Sequence, residues 1–155
     1  MQGAVGRIVL GFIAAVISVL IVHQVIVYAL GLYGLTRSVP WSMRPLGYGW
    51  FPWVPTIVNV AFWGGLWGIL FALIYDWLPG AMSWLKGLIF GILIVIVSNW
   101  TLLPLIRQHV FNYPPQPLFS GLVPMNMLIV LAIVGGFGLG LGIIYGLIGP
   151  RDRTA

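Results

Sequence analysis

The sequence holds no cysteine and only two acidic residues, Asp76 and Asp152. The first absence excludes disulfides, thiolate metal sites, iron–sulfur clusters and thiol chemistry. The second bears on transport. Proton- or cation-coupled carriers usually need a carboxylate near mid-membrane that can change charge, whereas Asp76 stands at a segment end and Asp152 in the tail. Charge of either sign is scarce, at 6% of 155 residues, against about 25% in a soluble domain. A chain with so little charge can turn most of its surface only toward lipid.

Apolar residues are what it has in excess: 61% of the chain, with a mean hydropathy of +1.08. They gather into runs at about 6–33 (with Arg7 at its edge), 56–75, 87–106 and 125–148. Roughly 20 apolar residues cross about 30 Å of hydrocarbon. Helices are expected, because each buried peptide group must be satisfied within its own segment and barrel strands would alternate with period two. The predicted fold is therefore an all-α integral membrane protein, residues 1–155 forming one transmembrane domain of four helices. The first run carries no charge from Ile8 to Leu35. It exceeds a signal-peptide core of about 7–15 residues and reads as a retained helix. Pro55 and Pro124 mark starts of helices two and four, and Pro79-Gly80 marks a tight turn between helices two and three. Pro104 is expected to kink or end helix three.

A formal charge of +5 suggests nucleic acid only until the cations are placed. Arg7, Arg37, Arg44, Lys86, Arg107, Arg151 and Arg153 all lie at or near segment ends, which is how a membrane protein marks its boundaries and meets anionic lipid. No nucleic-acid partner is expected. Arg7, Lys86, Arg151 and Arg153 share the side of the termini, against Arg37, Arg44 and Arg107 opposite. The bias puts both termini in the cytoplasm of a prokaryotic inner membrane. The two long connections, about 36–55 and 107–124, are rich in proline and aromatics and read as caps on the outer surface.

The halves of the chain resemble each other. Gly65-Leu66-Trp67-Gly68, followed by Ala72 and Ile74-Tyr75, aligns without a gap on Gly135-Gly136-Phe137-Gly138, followed by Gly142 and Ile144-Tyr145. Gly11 and Ser18 fall over Gly91 and Ser98, and both long loops run from Pro-Leu to Val-Pro. The pattern suggests two tandem two-helix hairpins related by a pseudo-twofold axis along the membrane normal. Gly64, Gly68 and Ala72, like Gly138, Gly142 and Gly146, are four apart and share one helix face. Gly11 and Gly91 add bare positions on helices one and three. Such faces serve close helix packing.

Few polar side chains fall inside the spans. His23, Gln24, Asn59, Ser98 and Asn99 form the expected polar pocket, and Asp76 is expected to pair with Lys86 or Arg7 near the inner surface. A satisfied buried histidine is the plain reading of His23; haem b ligation, with His109 as a second ligand, or a hydrogen bond to a quinone is the alternative. No catalytic residue, metal site or resident cofactor is expected. Gly138-Leu139-Gly140-Leu141-Gly142 has the look of a phosphate loop, yet it lies within a span and lacks the strand and lysine. The functional expectation is a non-enzymatic accessory or scaffold subunit, packing against another membrane protein or its own copies within membrane lipid. The alternatives are a redox or quinone-contacting subunit using His23, and a passive channel or small-solute carrier.

Overall fold

The computed structural model describes residues 3–112 and 114–149. Among them the structure is all-helical, with four helices long and apolar enough to span a membrane: α1 (Ala4–Leu32), α2 (Thr56–Trp77), α3 (Ser83–His109) and α4 (Pro124–Ile148). The starts of α2 and α4 follow proline chemistry. The Pro55 carbonyl accepts the Asn59 N–H at 3.1 Å, and Pro124 is the first residue of α4, where a missing N–H has no helical partner to lose. α2 tightens into a 3-10 turn at Tyr75–Trp77. The chain then reverses at Pro79-Gly80, with Gly80 at φ +113°, a conformation side chains rarely tolerate.

α3 departs from the sequence expectation at both ends. It begins at Ser83, a turn before the apolar run, because Ser83, Trp84 and Lys86 are interfacial side chains on a backbone that is already helical. It also continues through Pro104 to His109. Proline has no N–H, and its ring collides with the carbonyl four residues back in an α-helix. Here a π segment, Val95–Leu102, lies directly upstream. Its wider turn takes that carbonyl out of the α register, and Pro104 is buried as the second residue of the α turns that follow. Two more π segments, Val19–His23 in α1 and Leu131–Gly135 in α4, lie at mid-helix or toward the end of the bundle that carries the two long loops. That end is the outer one, and the end near the termini is the inner one.

The helices pack in the order α2–α1–α4–α3, with α1 against both α2 and α4, and α3 against α4. Lipid tails are as apolar as leucine, so association depends on close contact. On α1 and α2, a Cβ added to Gly68 would run into the Gly11 carbonyl and the Ala15 side chain; one added to Gly11 would stand 2.7 Å from Ala72 Cβ. On α3 and α4, a Cβ on Gly138 would stand 2.5 Å from Gly91 Cα, and one on Gly142 2.9 Å from Gly87 Cα. Gly64 meets Val19 and Phe137. Across the α1–α4 seam, the fully buried Ser18 hydroxyl donates to the Phe137 carbonyl at 2.7 Å. Below that seam, Phe71 stands 5.2 Å from Phe90 and 5.5 Å from Tyr145, ring centre to ring centre.

Candidate functional site at the outer end of the bundle

The π segment of α1 ends at His23, with Gln24 the first residue of the α turns that follow, and π turns recur at functional sites because they shift carbonyls and side chains out of α register. Gln24 is only 5% exposed, so its amide requires partners. Its Oε1 accepts the Trp41 backbone N–H at 2.9 Å, and its Nε2 lies 3.2 Å from His23 Nδ1. The backbone N–H can only donate, which fixes the amide oxygen toward Trp41 and the amide nitrogen toward the imidazole. Nδ1 must then accept, and the ring proton sits on Nε2. His23 therefore presents an N–H donor at its far edge.

Trp41 makes this arrangement by folding the first outer loop back onto α1. Its indole Nε1 donates to the Leu20 carbonyl at 2.9 Å, within the π segment. The residue holds φ +47°, a conformation that costs a bulky side chain free energy and persists only where surrounding contacts impose it. Those contacts are the bonds to Leu20 and Gln24. The rest of the loop is tied by Leu46 N–H to the Val54 carbonyl and Gly47 N–H to the Pro52 carbonyl, both 2.9 Å, beside an antiparallel Pro45–Pro55 bridge.

The second outer loop covers the π segment of α3 in a related way. It turns at Leu118–Leu122, where Phe119, Ser120 and Gly121 are all left-handed, at φ +49°, +54° and +68°. Phe119 lies 5.8 Å from the ring of Trp100, whose buried indole N–H has no hydrogen-bond partner among the described residues. The Thr101 hydroxyl donates to the Ile96 carbonyl at 2.9 Å.

The two loops meet over Arg107. Its Nη2 donates to the Tyr48 hydroxyl at 2.9 Å and its Nη1 to Gln116 Oε1 at 3.2 Å, so a cation at the end of α3 bridges both loops through neutral acceptors. Trp50 packs edge-on against Phe111 at 5.5 Å alongside it.

The remaining polar residues singled out from the sequence fall elsewhere. Ser98 and Asn99 are partly buried on α3, and α4 stands between α3 and α1. Among the described residues no hydrogen bond joins them to His23 or Gln24. Asn59 sits in the first turn of α2, and His109 is the exposed last residue of α3. His23 lies nine residues inside the end of α1 at Leu32, about 13 Å down the helix at roughly 1.5 Å per residue. At the inner end Arg7 Nη2 stands 2.9 Å from Asp76 Oδ2 and 3.2 Å from the Ala72 carbonyl. Lys86 turns to the Tyr75 carbonyl at 3.0 Å and lies 4.3 Å over its ring. The Tyr75 and Ser83 hydroxyls are 2.6 Å apart. Sequence reasoning missed Trp41 as the partner of Gln24, and Tyr48 and Gln116 as the partners of Arg107. Their only signal was the placing of aromatics in a proline-rich outer loop.

Fold and site together define a small, all-helical chain with four apolar spans and a polar cap tied across one end. Comparison with known proteins narrows this no further: no family model, curated protein or solved structure matches the chain.

Proposed function

We propose that the chain is a non-catalytic accessory or scaffold subunit of the prokaryotic inner membrane, with both termini cytoplasmic, built to pack against another membrane protein or its own copies. One observation carries the reading: the polar side chains best suited to chemistry are engaged in holding the fold. Arg7 is paired with Asp76, Lys86 with the end of α2, Gln24 with Trp41, and Arg107 with both loops. The surface left for a partner is the lipid-facing one, where Phe62, Trp63 and Trp84 stand exposed. The two hairpins are read as a tandem duplication. In support, the contacts of Gly11 with Gly68 and of Gly91 with Gly138 pair residues that align in the two halves. Native mass measurement of the full-length protein in mild detergent tests the scaffold role. A stoichiometric complex, either homo-oligomer or defined heteromer, is expected, and a lone monomer overturns the reading.

The His23 tautomer favours a second reading, a contact to a quinone carbonyl. An Nε2–H donor suits a carbonyl acceptor, whereas iron ligation through Nε2 would need that nitrogen's lone pair and a proton on Nδ1, which faces the Gln24 amide hydrogens. Titration with a short-chain quinone should quench Trp fluorescence in the wild type and not in His23→Phe. Equal quenching in both removes this reading.

A further inference from the structure

α1 and α2 leave between them, on the lipid side, an apolar groove of about 360 Å³ lined by Phe12, Val16, Leu20, Ile57, Val58 and Phe62. From Leu20 to Phe12 it follows α1 for eight residues, about 12 Å at roughly 1.5 Å per residue. That is most of one leaflet's share of a core about 30 Å thick. Its outer mouth is crossed by a single loop segment, Trp41–Arg44, bonded to both walls. The Trp41 indole donates to the Leu20 carbonyl on the α1 side at 2.9 Å. On the α2 side the Ser42 carbonyl accepts the Ile57 N–H at 3.0 Å, and the Arg44 carbonyl accepts the Thr56 N–H at 2.9 Å. Arg44 itself is exposed, and no acidic residue precedes Asp76 anywhere in the chain. The groove therefore ends beneath the loop segment that carries this cation, while its hairpin's one carboxylate, Asp76, is paired with Arg7 at the opposite end of the helices.

We propose that this groove is a binding site for one anionic phospholipid, an acyl chain lying between α1 and α2 and the headgroup phosphate meeting Arg44. Apolar lining alone would accept any lipid; the charge selects among them. A basic side chain close to an anionic headgroup is worth about a fivefold preference. The Trp41–Arg44 strap fixes the backbone that carries Arg44 at the mouth of the groove, which a freely moving loop would not.

The test reconstitutes the full-length protein in bilayers of equal phosphatidylglycerol and phosphatidylcholine and reads the lipid retained on it by native mass spectrometry. The wild type should keep one phosphatidylglycerol in about fivefold preference. Arg44→Gln should still hold a lipid but without preference between headgroups. Val58→Trp, which fills the groove from an exposed position, should lose the bound lipid while its helical circular dichroism is unchanged. Equal retention of both lipids by the wild type overturns the proposal, as does an Arg44→Gln protein that keeps the preference. So does a folded Val58→Trp protein that keeps its lipid, or one whose only change is loss of a dimer, since the occupant would then be a second copy of the chain. Should Val58→Trp fail to fold, the Arg44→Gln comparison decides alone.

Discussion

Through the middle of the bundle and toward the termini the helices of this protein touch chiefly through their backbones; toward the long loops they are held by side chains. At the inner and middle levels Gly11 meets Gly68, and Gly87 and Gly91 meet Gly138 and Gly142, with little between the helices but main chain and the methyl groups of Ala15 and Ala72. Farther out, α1, α3 and α4 widen into π segments. There the joints are an indole on the Leu20 carbonyl, a glutamine on a loop N–H and an arginine spanning two loops. The difference follows the solvent. Deep in hydrocarbon, polar ties are few and close contact supplies the attraction. Near the headgroups, Trp, Tyr and Arg have both an apolar body to bury and a polar tip to satisfy. The inner region should thus carry the stability of the bundle, and the outer region its adaptability.

The sharpest way to break that comparison is to obstruct a backbone contact. Gly68→Val places atoms where the Gly11 carbonyl and Ala15 already stand, and neither can move without shifting α1. Overpacking costs about 1–3 kcal/mol and occasionally more, the upper end being expected where backbone atoms must give way, so the variant should unfold well before wild type in a thermal scan in detergent. Gly138→Val should do the same to the second hairpin. Gly31→Ala is the control. Its added Cβ meets nothing within 4 Å, so its stability should stay within about 1 kcal/mol of wild type, with any change a gain in helix propensity.

Next in size is the outer joint at Gln24. Replacing it with leucine strands the part-buried Trp41 N–H, and since a fully buried unsatisfied donor costs about 1–3 kcal/mol, the loss should fall at the low end of that range. The lost bond also removes one of the two contacts imposing φ +47° on Trp41. A red shift and faster quenching of Trp emission should accompany a smaller fall in thermal stability than that of Gly68→Val. Arg107→Lys comes below it, at about 1 kcal/mol. An ammonium cannot reproduce the planar fork that reaches Tyr48 and Gln116 together. Proteolysis in the second outer loop should accelerate while the helices stay intact. If either loop variant unfolds the bundle as readily as Gly68→Val, the division of labour proposed between the two ends is wrong.

The helices themselves were legible because bilayer thickness dictates the length of an apolar run, and prolines at 55 and 124 announce where two of them start. The four-residue spacing of Gly64, Gly68 and Ala72 likewise identifies a bare face. What spacing does not say is which helix meets it, since that depends on the order of packing. That order also decides the polar residues: α4 separates α1 from α3, so His23-Gln24 and Ser98-Asn99, close in expected depth, stand on helices that do not adjoin. The π segments share no common composition: Val95–Leu102 holds Ser98, Asn99 and Thr101, whereas Leu131–Gly135 is apolar throughout. Val19–His23 is as apolar as the helix around it up to His23, and nothing in its pattern announces that the Leu20 carbonyl is left for a loop side chain. The Trp41 bond to that carbonyl spans 21 positions, beyond the reach of any local pattern.

The smallest expected effect falls on the one feature that looks most like a fastener. Arg7 and Asp76 form an ion pair at 2.9 Å, but their side chains are 32% and 55% exposed. Exposed pairs contribute at most about 1 kcal/mol and weaken as salt screens them. Asp76→Asn leaves Arg7 its bond to the Ala72 carbonyl, so the guanidinium keeps a partner and α1 its position on α2. Thermal stability should therefore fall by about 1 kcal/mol or less, and the gap should shrink further between 10 mM and 500 mM sodium chloride. A loss comparable to that of Gly68→Val, persisting at high salt, would mean that charge and not backbone contact holds the inner end. The contrast between the two ends would then have to be drawn the other way round.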